Sequence, residues 1–576
     1  MTNIKLTVVQ GEELRTLLLP EGSSLLESLR NMDVHVASIC GGNGSCGKCR
    51  VRVLDGALDI TDNDERSVSK DDLGEGWRLA CAATLWSDLT IEAEPAREEN
   101  FSVVVDFSGS FSGAGTLDTT KVAMEKSPIS VTDRMRRDGD APLSMETLRG
   151  CSQIVESGAS EAFVTRAGGR ILRVGRTAGQ YAIAVDIGTT TLCFALVSLV
   201  DGTVKGRLSA VNRQREYGAD VISRIHRAAN GELAAIGDVI RRQVAEAARK
   251  ICDDNGVAPD SVIRMAFAGN TAMLHILLGL SCRTLGVYPF TPVTLDLLHL
   301  KYKDIFEGHF TCAVDFLPGL STYVGADIAS GILFSGLLES ESPALLLDMG
   351  TNGEMAASRE GWLYCTATAA GPAFEGGNIE WGTGSVPGAI SSVKFEDGEP
   401  RIETINGATP VGICGSGVID ATAECLAAGF LSTSGRFEAD YRDGVALGLT
   451  SAGEKIRFTQ KDVREVQLGK SAVRSGIDTL LRTAGLSYGD IGSFYIAGGF
   501  GYRLDFESGI AIGLFPKELA GRMKPLGNSS LGGVITYLLD GSAEKRLDAI
   551  VQNSSQFELS EDKSFNNLFM ENMTFE

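Results

Sequence analysis

The stretch Tyr181-Ala-Ile-Ala-Val-Asp-Ile-Gly-Thr-Thr-Thr191 returns in outline as Pro343-Ala-Leu-Leu-Leu-Asp-Met-Gly-Thr-Asn-Gly-Glu354. Each is an unbroken apolar run that ends in an aspartate and a Gly-Thr turn, and the first leads into a second apolar run, LCFALVSLV. Such runs read as strands buried on both faces. In a strand-turn-strand clasp of this kind the glycine lets backbone N–H groups approach an anion. The threonine hydroxyls donate to phosphate oxygens, and the aspartate can hold a metal-bound water. A single D-x-G-T is weak evidence, because Asp-Gly turns are ordinary hairpin chemistry. Two copies, at Asp186 and Asp348, predict two related lobes closing on one nucleotide.

The rest of that region agrees. From Tyr181 onward apolar strands alternate with helical patterns, which predicts an α/β architecture. MAFAGNTAMLHILLGL (265–280) is a strand, a polar turn at Gly269–Thr271 and a helix. SFYIAGGFGYRL (493–504) runs a strand into Gly498 and Gly499, where absent side chains leave room for an adenine or ribose. GPAFEGG (371–377), GICGSG (412–417) and GNSSLGG (527–533) are either cleft lining or plain turns, with Gly415 and Gly417 as candidate nucleotide contacts. Cys414 lacks a G-x-S-x-G frame and a nearby histidine, so it reads as a buried thiol. Cys151, Cys193, Cys252, Cys282, Cys312, Cys365 and Cys425 sit singly among apolar neighbours and read as core. The order clasp, connecting helix, clasp, Gly-Gly loop resembles the actin-like (ASKHA) ATPase superfamily, a duplicated RNase H-like α/β fold, over 180–550.

Near the N-terminus, CGGNGSCGKC (40–49) can be read as a phosphate loop or as a metal loop. A P-loop needs Ser or Thr after its lysine and a helix behind it; here Cys49 follows Lys48, and RVRVLDG alternates like a strand. A [2Fe–2S] cluster needs three thiolates on a tight loop and a fourth from a distant segment. Cys40, Cys46 and Cys49 form C-x5-C-x2-C among glycines, and Cys81 follows in RLACAATL. Structural zinc prefers paired C-x2-C knuckles and is the alternative metal. The arrangement resembles the β-grasp [2Fe–2S] ferredoxins over 1–94, with adrenodoxin-like C-x5-C spacing.

Around these motifs, 3–20 read as two strands about a QGEE turn and 23–32 as an amphipathic helix, with a closing strand that stops at Pro95. A Ser/Gly-rich linker is expected over 95–119. A small α+β module follows over 120–179, with a helix at 144–156 and strands AFVTR and RILRV about an AGG turn. The polar, acidic segment 551–576 predicts no firm structure. A net charge of −21 argues against a nucleic-acid partner. No basic n-region opens the chain and no run of 18 apolar residues occurs, so no membrane partner is expected and the cytoplasm is the default location. Histidine occurs only at 35, 226, 275, 299 and 309, so a metal here should be held by sulfur.

Over its whole length the chain resembles the ATP-dependent reductive activators of corrinoid proteins. The motifs that carry the resemblance are the four cysteines, DIGTTT, YGADVISRI (217–225), GNTAML, DMGTNGE, GPAFEGG, GICGSG and AGGFG. It implies an enzyme that uses ATP, Mg²⁺ and a [2Fe–2S] cluster to return a methyltransferase system's corrinoid protein from inactive cobalt(II) to cobalt(I). The implied partners are that corrinoid protein and a low-potential electron donor, whether ferredoxin, flavodoxin or a reductase. A homodimer is compatible with it. By position Cys40, Cys46, Cys49 and Cys81 would hold the cluster. Gly188, Thr189, Thr190, Gly350, Thr351, Asn352 and Gly353 would meet phosphates, and Gly415, Gly417, Gly498 and Gly499 the rest of the nucleotide. Asp186, Asp348 and Glu354 are the candidates for activating the attacking water. Three alternatives stay open: a small-molecule kinase fused to a ferredoxin, a non-catalytic clamp, and a 2-hydroxyacyl-CoA dehydratase activator.

Overall fold

The computed structural model describes residues 3–11, 13–32, 34, 36, 47, 49–93, 118–167, 170–178, 180–218, 220–308, 310–396, 398–498 and 504–575. Its contacts form two compact units: Met1–Asn100 with Asn212–Ile240 and Gly279–Phe290, and Phe101–Val211 with Arg241–Leu278 and Thr291–Glu576.

In the first unit a hairpin, β1 (Asn3–Gln10) and β2 (Glu13–Pro20), is followed by helix α1 (Leu25–Asn31) and strands β3 (Arg50–Asp55), β4 (Trp77–Leu79) and β5 (Leu89–Ala93). The five-stranded sheet has the order β2-β1-β5-β3-β4, with β1 and β5 parallel, Leu6 opposite Leu89. Leu25 and Leu29, four apart on one face of α1, are fully buried with Val8, Val51, Leu79 and Ile91. This is the mixed sheet under one helix that the β-grasp expectation calls for.

The second unit begins with a small three-stranded sheet, order β8-β7-β6, made of β6 (Asp118–Ala123), β7 (Glu161–Ala167) and β8 (Arg170–Gly175). Helix α2 (Met145–Glu156) covers it, capped by Ser144, whose hydroxyl accepts from Thr147 N.

The two clasps then open two sheets of the same design. In the first lobe β9 (Tyr181–Ile187), β10 (Thr191–Ser198) and β11 (Val204–Val211) form an antiparallel meander. Strand β12 (Val262–Gly269) pairs parallel to β9, helix α3 (Thr271–Leu278) follows it, and β13 (Leu298–Lys301) and β14 (Ala313–Phe316) complete the order β11-β10-β9-β12-β14-β13. Helix α4 (Ala326–Ser335) leads into the second lobe. There β15 (Ala344–Met349), β16 (Gly353–Arg359) and β17 (Trp362–Thr368) form the same meander. Helices α5 (Gly415–Ala427) and α6 (Gln460–Ala484) follow, then β18 (Ser493–Ala497) parallel to β15 and β19 (Met523–Gly527) parallel to β18. The first strand of each meander is thus flanked by a parallel neighbour, buried on both sides, as its unbroken apolar sequence requires. Helix α7 (Ser529–Leu539) follows β19 but packs on β9, β10 and β12 of the first-lobe sheet, and it crosses α4 so closely that a Cβ on Gly533 would overlap the Ser330 carbonyl.

One expectation is overturned. The segment after 551 is folded: β20 (Ser554–Gln556) joins the second-lobe sheet beside β17, and α8 (Phe565–Glu571) follows. This polar segment is held because buried groups on α6 satisfy its backbone. Gln467 Nε2 donates to Met573 O at 2.8 Å, Lys470 Nζ donates to Thr574 O, and Phe575 is only 2% exposed.

Candidate functional site

Two of the four cluster cysteines are described. Cys49 immediately precedes β3 and Cys81 follows β4, two strands paired with Arg50 opposite Leu79. The Ala80 N–H donates to the Cys49 carbonyl at 2.8 Å, which continues the ladder and brings the two cysteines together at its end. Cys49 is buried and Cys81 partly exposed. Two cysteines from distant segments at the end of one strand pair, one buried and one partly exposed, fit a cluster that takes its ligands from a loop and a remote segment. Cys40 and Cys46, with their loop, lie outside the described residues.

The second site is a cleft of about 210 Å³ in the second unit. It is lined by Asp186, Gly188, Thr189 and Thr190 from the first clasp and by Asp348, Gly350, Thr351, Asn352 and Glu354 from the second, so the structure brings the two repeats together. Each turn is closed by its glycine: Gly188 N donates to Thr191 O at 3.0 Å and Gly350 N to Asn352 O at 2.9 Å. The clasps differ at the next position. Asp186 sits opposite Cys193 across the ladder, whereas Asp348 sits opposite Glu354.

Gly415 and Gly498 also reach the cleft. Gly498 has φ +111°, and a Cβ there would strike the Met349 carbonyl, so a side chain is excluded beside the second clasp. Gly353 and Gly417 do not line the cleft, contrary to their assignment from sequence. They are packing glycines: a Cβ on Gly353 would crowd Thr368 and Val473, and one on Gly417 would overlap the Ile390 carbonyl. Gly499 lies outside the described residues.

Further residues complete the site. The starts of two helices enter the cleft: Asp327 from α4, and Asn528 and Ser530 from α7. Asn528 Nδ2 donates to Asp186 Oδ2 at 2.9 Å and Ser530 Oγ to Asp186 Oδ1 at 2.8 Å, while Asn528 Oδ1 caps α7 through Leu531 N. Asn270 Nδ2 donates to Thr189 Oγ1 at 3.0 Å. Glu375 accepts from Thr351 Oγ1 at 2.6 Å and from Thr190 Oγ1 at 3.5 Å. The sequence offered a signal for Asn270, Glu375, Asn528 and Ser530, which lie in the GNT, GPAFEGG and GNSSLGG pieces. Asp327 carried none.

Five carboxylates therefore meet in one buried cleft, and among the described residues that line it there is no arginine or lysine. Burial raises Asp186, against which the Asn528 and Ser530 donors pull. Burial, then the neighbouring Asp186, pushes Asp327 up to about 7. Burial, then Asp327 and Asp186, pushes Asp348 up to about 7. Glu354 is raised well above the carboxylate range by burial, Asp327 and Asp348, and Glu375 is raised by burial. Such a cleft repels a polyphosphate unless cations enter with it. Among the described residues no three carboxylate, thiol or imidazole groups are placed to ligate one metal ion directly. A cation here would meet at most two of these groups directly and complete its shell with water or oxygens of the substrate.

Three domain models match the chain: a 2Fe-2S iron-sulfur cluster binding domain over residues 8–85, the RACo middle region over 181–340, and the C-terminal domain of RACo, the ASKHA domain, over 342–576. The chain is 32% identical over 418 residues to the corrinoid activation enzyme RamQ of Eubacterium limosum, covering 69% of this chain and 70% of that protein. It is 26% identical over 431 residues to the Co(II) methylated amine-specific corrinoid protein reductase of Methanosarcina barkeri, covering 68% and 76%. A solved reductive activator for corrinoid,iron-sulfur protein superposes with a TM-score of 0.73 at 29% identity, covering 99% of this chain and 98% of the other. No helix among the described residues is long and apolar enough to cross a membrane.

Proposed function

The chain belongs to the family of reductive activators of corrinoid proteins, and from that membership we propose that it returns the inactive cobalt(II) form of a methyltransferase system's corrinoid protein to cobalt(I), using ATP. In this reading residues 1–94 are the electron-carrying domain, 95–119 a linker, 120–179 a small module, and 180–550, completed by the folded C-terminal segment, the ATPase. The observation that carries the proposal is the pairing, in one chain, of cysteines at the end of a β-grasp ladder with a two-lobed cleft lined by both Gly-Thr turns.

Cys49 and Cys81, with Cys40 and Cys46, would hold a [2Fe–2S] cluster, whose chemistry is one-electron transfer at low potential, roughly −400 mV for plant-type centres. Reducing an acceptor that lies lower still costs about 1.4 kcal/mol for each 59 mV, so a low-potential electron donor and ATP are both called for. ATP need not touch the electron path. If nucleotide binds one arrangement of the lobes better than another, it favours the partner state with which that arrangement is compatible.

At the cleft Thr189, Thr190, Thr351 and the turn N–H groups would donate to phosphate oxygens. Asp186 and Asp348, and with them Asp327 and Glu354, would hold Mg²⁺ through water, and that ion would supply the positive charge the cleft lacks. Glu354 and Asp348, paired across the ladder, are the carboxylates best placed to take the proton of the attacking water. Phosphate is released to water, not passed to a metabolite.

The test is spectroscopic. Reduced protein mixed with a cobalt(II) corrinoid protein should develop cobalt(I) absorbance only when ATP is added. ATP hydrolysis that no corrinoid protein accelerates would overturn the reading.

A further inference from the structure

The mechanism above uses the threonines of both clasps as phosphate donors, yet two of them already have an acceptor. Thr351 Oγ1 of the second clasp and Thr190 Oγ1 of the first converge on the same carboxylate oxygen, Glu375 Oε2, at 2.6 and 3.5 Å. A threonine hydroxyl has one proton to donate, so neither can serve Glu375 and a phosphate oxygen at once. The shorter contact is the length of a strong charge-assisted bond, so it is not a bystander.

Glu375 is held by a loop suited to carry the consequence. Gly371 N donates to Thr351 O at 2.9 Å, which ties the loop to the second clasp. Gly371 and Gly376, on either side, have φ of +80° and +81°. Next to Glu375, Phe374 is fully buried: its carbonyl lies where a Cβ on Gly415, the first residue of α5, would be, and its ring lies against Gly469 of α6. Movement of Glu375 is therefore movement of the plug between α5 and α6.

We propose that Glu375 is a positioning residue that mimics a phosphate: its carboxylate holds Thr190 and Thr351 of the two clasps in donor orientation, and a phosphate group of ATP displaces it, so that the 371–377 loop reports phosphate binding to α5 and α6. The inference rests on the ATPase reading and deepens it.

The experiment compares wild-type holoprotein with Glu375→Gln, which keeps the shape and removes the anion. Calorimetry with Mg²⁺ and a non-hydrolysable ATP analogue should show tighter binding by the variant, by about fivefold or more for removal of a charge at contact distance. Adenosine, which has no phosphate, should bind the two proteins equally. A residue with a purely structural role would weaken binding when changed, so the sign decides. Equal or weaker analogue binding by the variant, or an equal gain for adenosine, overturns the proposal. In wild-type protein the analogue, but not adenosine, should alter amide hydrogen exchange across residues 371–377; unchanged exchange there overturns it as well. If wild-type protein binds no nucleotide at all, the ATPase reading fails, an outcome distinct from these.

Discussion

Asn528, the residue that caps helix α7, lies with its amide nitrogen 2.9 Å from the carboxylate of Asp186, the acid of the first-lobe clasp. With Ser530 on the other oxygen, both oxygens of Asp186 are engaged from the start of α7, a helix that follows the second lobe in the chain but packs on β9, β10 and β12 of the first-lobe sheet. The first clasp is therefore complete only when the chain's return from the second lobe is in place. Asn528→Asp tests this without removing the cap, since aspartate caps as well as asparagine. It replaces a donor by a sixth carboxylate. ATP hydrolysis should fall on the order of 10- to 100-fold, the usual range for loss of a group that orients a functional one, while the 2Fe-type EPR signal of reduced protein stays intact. Unchanged turnover would show that Asp186 does not need its donors on α7.

The opposite separation is expected at the other site. Cys81→Ser should abolish the visible absorbance of the cluster and the appearance of cobalt(I), while affinity for the ATP analogue is retained within about twofold, since the substitution lies in the ferredoxin-like domain, far along the chain from both phosphate clasps. Loss of nucleotide binding in that variant would show that the two sites are not separable.

The clasps and the cysteines were legible because their chemistry is local: a few consecutive residues carry both the backbone geometry and the functional group. Asp327 was not legible. It is one acid at the start of an apolar helix, and only the crossing of α4 over α7 places it in the cleft. Glu375 lay in a glycine-rich piece that could as well have been a turn, and its role depends on threonines from two other segments. Gly353 and Gly417 show the converse. A glycine marks a close approach of something to the backbone, but the sequence does not distinguish a phosphate from the Thr368 side chain or the Ile390 carbonyl. The folded C-terminus was illegible for a related reason, since the partners of its carbonyls are on α6.

The acidic cleft should make stability depend on pH in a definite direction. Asp327 and Asp348 are both pushed up to about 7, chiefly by burial, then by Asp186 in the case of Asp327 and by Asp327 and Asp186 in the case of Asp348. A carboxylate whose folded value is raised above its unfolded value of about 4 favours the folded state in its protonated form. That stability is fully present below about pH 4 and is lost as pH rises through 7. Between pH 6 and pH 8 in a chelator, the melting temperature should therefore fall. Asp327→Asn, which keeps the size and removes one charge, should flatten the decline and raise the melting temperature at pH 8. A decline as steep in the variant as in the wild type would place its origin elsewhere.

The C-terminal strap can be separated from the site it supports. Lys470 is 1% exposed, donates to Thr574 O and lies 5.3 Å from the centre of the Phe575 ring. One turn and less away on the same helix, Gly469 meets Phe374 and Val473 lies under Gly353 of the second clasp. Removing residues 565–576 takes away the carbonyl and the ring that the buried Lys470 meets. Breaking a buried charged contact from one side costs on the order of 3 kcal/mol, so the truncated protein should melt several degrees lower and bind the ATP analogue more weakly. Lys470→Met in the truncated protein removes the ammonium at nearly constant volume, and should restore part of both losses. In the full-length protein the same change should be destabilising, because it leaves the Thr574 carbonyl without its lysine donor and the Phe575 ring without its cation. Equal effects of Lys470→Met in the two backgrounds would mean that the lysine and the strap are not coupled, and that the second clasp is held by the packing of α6 alone.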